Sequence, residues 1–253
     1  MTFTKLFLKE MRSLRMNFVI FLAIIFVLDV FLITRVSTWG FWNVVLVSLT
    51  PLLLLIFLGM LQAFLLVRDE WKAGTAPFLR SLPISGWGIV GAKMLAAFAI
   101  WIVMSLVVLA LSGIIYASAP LFDMEWLPLA DLPWARISTS IVIFGLGIMA
   151  AVLFGGIVLQ SAFLLGRIVN RFSGLLSVAA GIALMFLTSR VGDWLVEVLS
   201  FFPVIRFEAL IITSQGLTLM PQELSTAAIL VLILELGLLF WVAGWLMEKK
   251  AES

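Results

Sequence analysis

Six long apolar runs dominate the sequence and limit the folds that the chain can adopt. A helix needs about 20 mostly apolar residues to cross the hydrocarbon core of a bilayer. Runs of about this length occupy residues 18–36, 43–67, 94–118, 137–165, 173–189 and 226–246. Because every backbone polar group in lipid must be hydrogen-bonded internally, the runs predict six transmembrane helices. We therefore expect an all-α polytopic membrane protein, with residues 1–253 forming a single transmembrane domain.

The composition supports this fold class and argues against several functions. Hydrophobic residues make up 64% of the chain and charged residues 12%, against roughly 45–50% and 25% in soluble domains. The basic residues are scattered rather than gathered in a stripe, so we expect no nucleic-acid partner. With no cysteine and no histidine, the chain lacks thiolates, the commonest metal ligand and the usual general base. No catalytic or nucleotide-binding motif is present, so we expect no enzyme activity, metal site or cofactor in this chain.

The basic residues between the apolar runs predict the orientation of the chain. Twelve lie on one face of the membrane: Lys5, Lys9, Arg12, Arg15, Arg68, Lys72, Arg80, Lys93, Arg167, Arg171, Lys249 and Lys250. Four lie on the other: Arg35, Arg136, Arg190 and Arg206. Connecting segments rich in Lys and Arg stay in the cytoplasm, so both termini and residues 68–93 are predicted to be cytoplasmic.

The N-terminal segment, residues 1–16, has the periodicity of an amphipathic helix. Its apolar residues at helical spacing are Phe3, Leu6, Phe7, Met11 and Leu14, and most of its polar residues lie on other faces. This pattern predicts a helix lying in the cytoplasmic membrane interface. The alternative is a basic lead-in to the first span with little structure of its own.

The outer segment before the last span, residues 190–225, is long for a simple connector. Apolar residues repeat at helical spacing from Val191 to Phe202, and Pro203 would end that helix. A second apolar run follows at residues 205–212. Neither run is long enough to span a bilayer, so we expect two short helices dipping into the outer leaflet.

Two carboxylates lie inside predicted spans, Asp29 in the first and Glu235 in the last. Each lies about 18 Å from the predicted cytoplasmic boundary, so the two could share one depth. An ionisable residue inside the membrane is a functional candidate by default. We therefore assign Asp29, Glu235 and the weaker candidate Gln160 to a substrate or proton pathway. The alternative is that each only hydrogen-bonds a neighbouring helix.

The segment between the second and third spans, residues 68–93, is short and patterned. Ser85 is a good N-cap for a helix that leads into the third span. Leu82, Ile84 and Trp87 would give an exposed apolar anchor with charged residues around it, which suits a docking surface. The alternative is a basic loop whose charges only fix the topology.

The same segment resembles a known family. Its characteristic residues are Glu70, Gly74-Thr75, Leu79-Arg80-Ser81-Leu82-Pro83-Ile84-Ser85, Ile89-Val90 and Gly91-Ala92-Lys93. This series is similar to the corresponding segment of the type-2 ABC-transporter permeases. The motif covers about a tenth of the chain, and the layout of an interfacial helix, six spans and short outer helices extends the resemblance over nearly all of it.

The resemblance implies a permease subunit of an ABC exporter in the bacterial cytoplasmic membrane. Such a subunit pairs with a second permease subunit, which is identical or related to it. Both subunits are in contact with membrane lipids. Each docks through its cytoplasmic loop on a separate ABC ATPase subunit, which carries the ATP and Mg. The resemblance places the ATPase-coupling residues at Glu70, Gly74, Thr75, Leu82, Pro83, Ile84 and Ser85.

Two other functions fit parts of the sequence. Asp29 and Glu235 would suit a secondary transporter driven by an ion gradient, although the spans show no clear inverted repeat. A membrane sensor or scaffold that binds a partner and moves nothing is the other alternative.

Overall fold

The chain folds into a helical bundle with one antiparallel β-hairpin. A computed structural model describes residues 2–75, 83–125, 134–167, 172–213 and 216–249. Its α-helices are α1 Phe3–Thr34, α2 Val36–Trp39, α3 Phe41–Ser48, α4 Pro51–Lys72, α5 Gly86–Ala117, α6 Trp134–Gly166, α7 Ser173–Val198 and α8 Thr226–Lys249. A 3₁₀ turn at Ala119–Phe122 follows α5, and the strands are β1 Val204–Thr213 and β2 Gly216–Ser225.

Six helical stretches in the described part are long and apolar enough to cross a membrane, with α3 and α4 counted as one. They coincide with the six predicted spans, so the helical, polytopic class is confirmed. Large apolar side chains such as Leu53, Leu54 and Leu175 are 71%, 65% and 76% exposed, respectively. Apolar surface on this scale is a liability in water and suits a chain whose solvent is lipid.

The second span is not one continuous helix. Helix α3 ends at Ser48 and α4 begins at Pro51. Proline has no N–H to donate to the carbonyl one turn earlier, but it fits the first position of a helix. The break therefore follows directly from Pro51, and the two helices together match the predicted span at residues 43–67.

The two ends of the bundle are distinct. We call the end that carries residues 68–75 and 83–93 the basal end, and the opposite end, which carries β1 and β2, the hairpin end. Helices α1 and α5 both run from the basal end to the hairpin end and lie side by side. Helix α4 contacts α5 and α6, and α8 contacts α5, α6 and α7.

The N-terminal segment is helical, as predicted, but it is not a separate interfacial helix. Helix α1 runs without interruption from Phe3 to Thr34. Leu6 and Leu14, on its predicted apolar face, are 0% and 3% exposed and belong to the protein core. Helical periodicity reveals an apolar face but not whether lipid or protein covers it, which is why the prediction failed.

The outer segment also differs from its prediction. Residues up to Val198 extend α7, so the first expected short helix is the end of the fifth span. The second expected helix is instead β1, paired with β2 from Val204↔Ser225 to Thr213↔Gly216. The order Ile205-Arg206-Phe207-Glu208 alternates apolar and polar residues with period two, which is the strand pattern.

The hairpin is attached to the bundle through α6. The Ser140 hydroxyl donates to the Glu208 carbonyl, and the rings of Phe144 and Phe207 meet edge to face at 6.5 Å. Helix α7, by contrast, buries none of its residues against the rest of the chain. It is the outermost of the six spans and contacts α6 and α8.

Candidate functional site at the basal end

The end of α4 is shaped by a glycine. Gly74 has φ +68°, a left-handed conformation that other residues adopt only with strain. The Thr75 N–H donates to the Glu70 carbonyl at 3.0 Å, and the Gly74 N–H donates to the Trp71 carbonyl at 3.3 Å. These bonds form a Schellman-type helix stop. The Gly-Thr pair therefore ends the second span and turns the chain into residues 76–82, which lie outside the described residues.

The start of α5 matches its sequence prediction. The Ser85 Oγ accepts a hydrogen bond from the Gly88 N–H at 3.2 Å, which caps the helix. Glu248 on α8 supplies a second acceptor, because its Oε1 receives the Gly86 N–H at 3.0 Å. A carboxylate at a helix N-terminus also interacts favourably with the positive end of the helix dipole. The third span is thus fixed at its first turn by its own cap and by the last helix.

Trp87 is not the free docking anchor that the sequence suggested. Its Nε1 donates to the Trp241 carbonyl at 3.2 Å. A Cβ atom added to Gly244 would lie 2.2 Å from the Trp87 ring, so only glycine lets the indole pack this closely against α8. Trp87 therefore joins the start of α5 to the last helix and is committed to contacts within the chain.

A buried ion cluster joins the three helices around the loop. Lys93 on α5 is 0% exposed. Its Nζ donates to Glu10 Oε1 at 2.9 Å, to Glu70 Oε1 at 3.3 Å and to the Leu66 carbonyl at 3.0 Å. Lys9 donates to both carboxylates from the partly exposed side of the cluster. Two ammonium groups and two carboxylates balance, so the cluster carries no net charge in the ordinary protonation states.

The Glu70 carboxylate is the centre of this arrangement. It accepts bonds from Lys9, from Lys93 and from the Thr75 hydroxyl. The side chain is 9% exposed and therefore braces the root of the loop rather than facing outward. A buried charge is tolerated only when it is paired and hydrogen-bonded, and Glu70 meets both conditions.

The remaining coupling residues divide into exposed and internal positions. Gly74, Thr75, Pro83 and Ser85 are exposed at the basal end. Ile84 is half-buried and packs against the core cluster that includes Leu6 and Met247. Leu82 lies outside the described residues. Among the described coupling residues, only Ile84 combines an apolar side chain with packing against the core.

The three polar candidates inside the spans are not brought together. Gln160 is 0% exposed, and its amide donates to the Ala63 carbonyl at 2.8 Å, which links α6 to α4. Glu235 lies on α8 against the bare backbone of Gly192, where an added Cβ would be 2.9 Å from its Oε1. Gln160 therefore has an internal structural partner, and Glu235 faces α7.

Asp29 lies on α1, farther from the basal end than Glu235. The ion pair between Glu10 and Lys93 marks one level on α1 and α5, which run in the same direction. Asp29 follows Glu10 by the same number of residues as Ser112 follows Lys93. Asp29 and Ser112 therefore also lie at one level. Both Asp29 carboxylate oxygens and the Ser112 hydroxyl are buried, and no described residue forms a hydrogen bond with them.

The predicted common depth of Asp29 and Glu235 is not observed. Glu235 precedes Glu248, which contacts the first turn of α5. Counting along the helices places Glu235 on the order of 20 Å nearer the basal end than Asp29. The prediction measured each residue from an apolar boundary, and the helices extend beyond those boundaries by different lengths.

Sequence reasoning missed Glu10 and Glu248 and treated Lys93 as part of the loop pattern. One signal was present for Glu10, which lies between Leu6 and Leu14 at four-residue spacing in the apolar stripe of α1. A carboxylate in such a stripe indicates a buried partner. The partner itself was not predictable, because Lys93 lies far away in the sequence.

The arrangement connects the ends of three helices. Within the described ranges, no group of three or more acidic side chains is placed to hold a metal ion. The charged groups of the ion cluster pair with one another, and these ion pairs hold the ends of α1, α4 and α5 together.

Comparisons with known proteins give no relative. No family model matches the chain, and no curated protein and no solved structure is significantly similar to it.

Proposed function

We propose that the chain is a membrane-spanning permease subunit of a bacterial ABC exporter. Two features support the proposal: six helices able to cross a membrane, and the motif from Glu70 to Lys93 that resembles the type-2 permeases. On this proposal the basal end is cytoplasmic, and residues 68–93 dock on a separate ATPase subunit that binds ATP and Mg. A second permease subunit completes the pathway across the cytoplasmic membrane.

The buried ion cluster is the observation that carries the proposal. A coupling loop transmits force only if its two roots are attached firmly to the helices that must move. Glu70 lies at one root and Lys93 follows the other, and both bond to side chains of α1. A displacement of the loop would therefore move α1, α4 and α5 together.

The docking assignment is tested with a charge placed in the loop. Ile84→Asp and Leu82→Asp are expected to abolish association with the ATPase subunit while the chain still reaches the membrane. Because Ile84 is half-buried, Pro83→Asp at an exposed position serves as a variant that spares the core. Leu121→Asp is the matched control, since Leu121 is 83% exposed at the hairpin end.

The measurement is co-purification of the ATP-binding chain from membranes, normalised to the amount of permease. We expect loss with the three loop variants and wild-type recovery with the control. Undiminished co-purification with every loop variant would overturn the docking assignment.

One observation favours an ion-coupled transporter instead. Both Asp29 carboxylate oxygens are buried without a hydrogen-bond partner among the described residues, so they are available to an ion or a proton. The separation in height between Asp29 and Glu235 argues against a site that they share. Purified chain in liposomes decides between the two functions: uptake driven by an ion gradient without ATP supports the secondary transporter.

A further inference from the structure

A cleft opens at the basal end between α4, α6 and α7. Its volume is about 480 Å³. The walls are apolar and include Leu61 of α4, Leu159 of α6, and Ile182 and Met185 of α7. From Ser173 at its mouth to Met185 the cleft follows α7 for about 18 Å, a length that suits an acyl chain.

The mouth of the cleft carries two guanidinium groups held by aromatic rings. Arg68 lies over the Phe64 ring at 5.7 Å, and Arg167 lies over the Phe163 ring at 5.1 Å. The two rings meet edge to face at 5.5 Å. This contact fixes both guanidinium groups near the point where α4 and α6 adjoin.

The charge at the mouth is only partly balanced. Lys72 adds a third cation to the lining, and Asp69 pairs with Arg68 at 3.1 Å. The Arg167 Nε is buried and has no hydrogen-bond partner among the described residues. The first turn of α7 also borders the cleft, and no side chain of the described residues caps it. The positive end of the helix dipole favours an anion at the same place.

We propose that this cleft binds an anionic phospholipid. The phosphate would lie between Lys72 and Arg167, with one acyl chain along the apolar wall of α7. Arginine donates to phosphate through a planar fork, and Arg167 lines the cationic mouth of the cleft. A zwitterionic lipid could place its acyl chain in the same apolar cleft, but it would bring no net negative charge to the cationic mouth. The proposal concerns the isolated chain and does not depend on the proposed transport function.

The charge requirement is tested by native mass spectrometry of the purified chain in mild detergent. The probes are phosphatidylglycerol and phosphatidylcholine with identical acyl chains. We expect the wild type to retain phosphatidylglycerol preferentially. The double variant Lys72→Gln with Arg167→Gln is expected to weaken that retention about tenfold or more. The control is Arg12→Gln with Arg15→Gln, which removes two exposed cations of α1 and should leave retention unchanged.

Several results would overturn the proposal. Equal retention of the two lipids by the wild type would show that only the acyl chains are recognised. Equal retention of phosphatidylglycerol by the wild type and the Lys72/Arg167 variant would place the lipid elsewhere. Displacement of the lipid by millimolar inorganic phosphate would identify a site for the free anion.

The apolar wall is tested by filling it. A Cβ atom at Gly181 would meet Ala162 at an ordinary 3.5 Å, so Gly181→Leu is expected to fold and to occupy the space of the acyl chain. Gly147→Leu is the matched control, since no atom lies within 4 Å of an added Cβ there. We expect phosphatidylglycerol retention to fall with Gly181→Leu only. Wild-type retention by Gly181→Leu, with unchanged thermal stability of the lipid-free protein, would refute the assigned location.

Discussion

Replacing Lys93 by methionine gives a direct test of the buried ion cluster. Methionine keeps a long apolar side chain and removes the ammonium group. Lys93 makes three hydrogen bonds, to Glu10, Glu70 and the Leu66 carbonyl. Without it, two buried carboxylates would share Lys9 alone. Removing one partner of a buried ion pair costs about 3–5 kcal/mol, and we expect a loss of unfolding free energy in this range.

The ion pair between Lys93 and Glu10 predicts how a substitution of Glu10 should change stability. Glu10→Gln keeps the shape of the side chain and removes one of the two negative charges. In the Lys93→Met background it should therefore cost less than in the wild type. We expect a coupling energy of about 1–3 kcal/mol between the two positions. Arg12→Met is the control, because Arg12 is an exposed cation on the same helix and its loss should matter by less than about 0.5 kcal/mol.

The assay is equilibrium unfolding in mixed micelles, followed by tryptophan fluorescence and circular dichroism. The reasoning is refuted if Lys93→Met is as stable as Arg12→Met. It is also refuted if the Lys93 and Glu10 effects simply add, because the two side chains would then not share an interaction.

Two further predictions concern helix packing and the buried carboxylate. Gly244→Ala should destabilise the protein by about 1–3 kcal/mol, because the new methyl group would collide with Trp87. Gly237→Ala on the same helix should not, because no described atom lies within 4 Å of an added Cβ there. Equilibrium unfolding in micelles compares the two variants. Asp29→Asn should maintain or increase the unfolding free energy, because an amide cannot ionise in the buried site, yet it should impair transport if Asp29 lies on the pathway. Normal transport by Asp29→Asn in liposomes would remove this residue from the mechanism.

The membrane fold was largely predictable because lipid imposes one dominant rule. A run of about 20 apolar residues has few alternatives to a spanning helix, so all six spans follow from hydropathy. The Ser85 cap was also predictable, because capping depends on residues within one turn. The hairpin was not recognised because residues 205–212 were interpreted as a short apolar helix, although residues 205–208 alternate apolar and polar with the period of a strand.

The candidate site was predictable only where its chemistry is local. Gly74 and Thr75 were expected only as coupling residues, and the structure shows that they end α4 through a hydrogen-bond pattern formed within one turn. The partners of Glu70 were not predictable, because Lys9 and Lys93 reach it from two other helices. The same holds for Trp87, whose surroundings depend on the glycine at position 244.

The position of the ion cluster near one end of α1 has a consequence for motion. The cluster fixes α1 at Glu10, whereas the helix continues to Thr34 at the hairpin end. A rigid rotation about this point would act as a lever with an arm of about 36 Å. Tilting by about 5° would then shift the far end of the helix by about 3 Å and leave the basal end almost in place. The cluster would serve as a fulcrum, with the smallest movement beside the loop and the largest on the opposite side of the membrane.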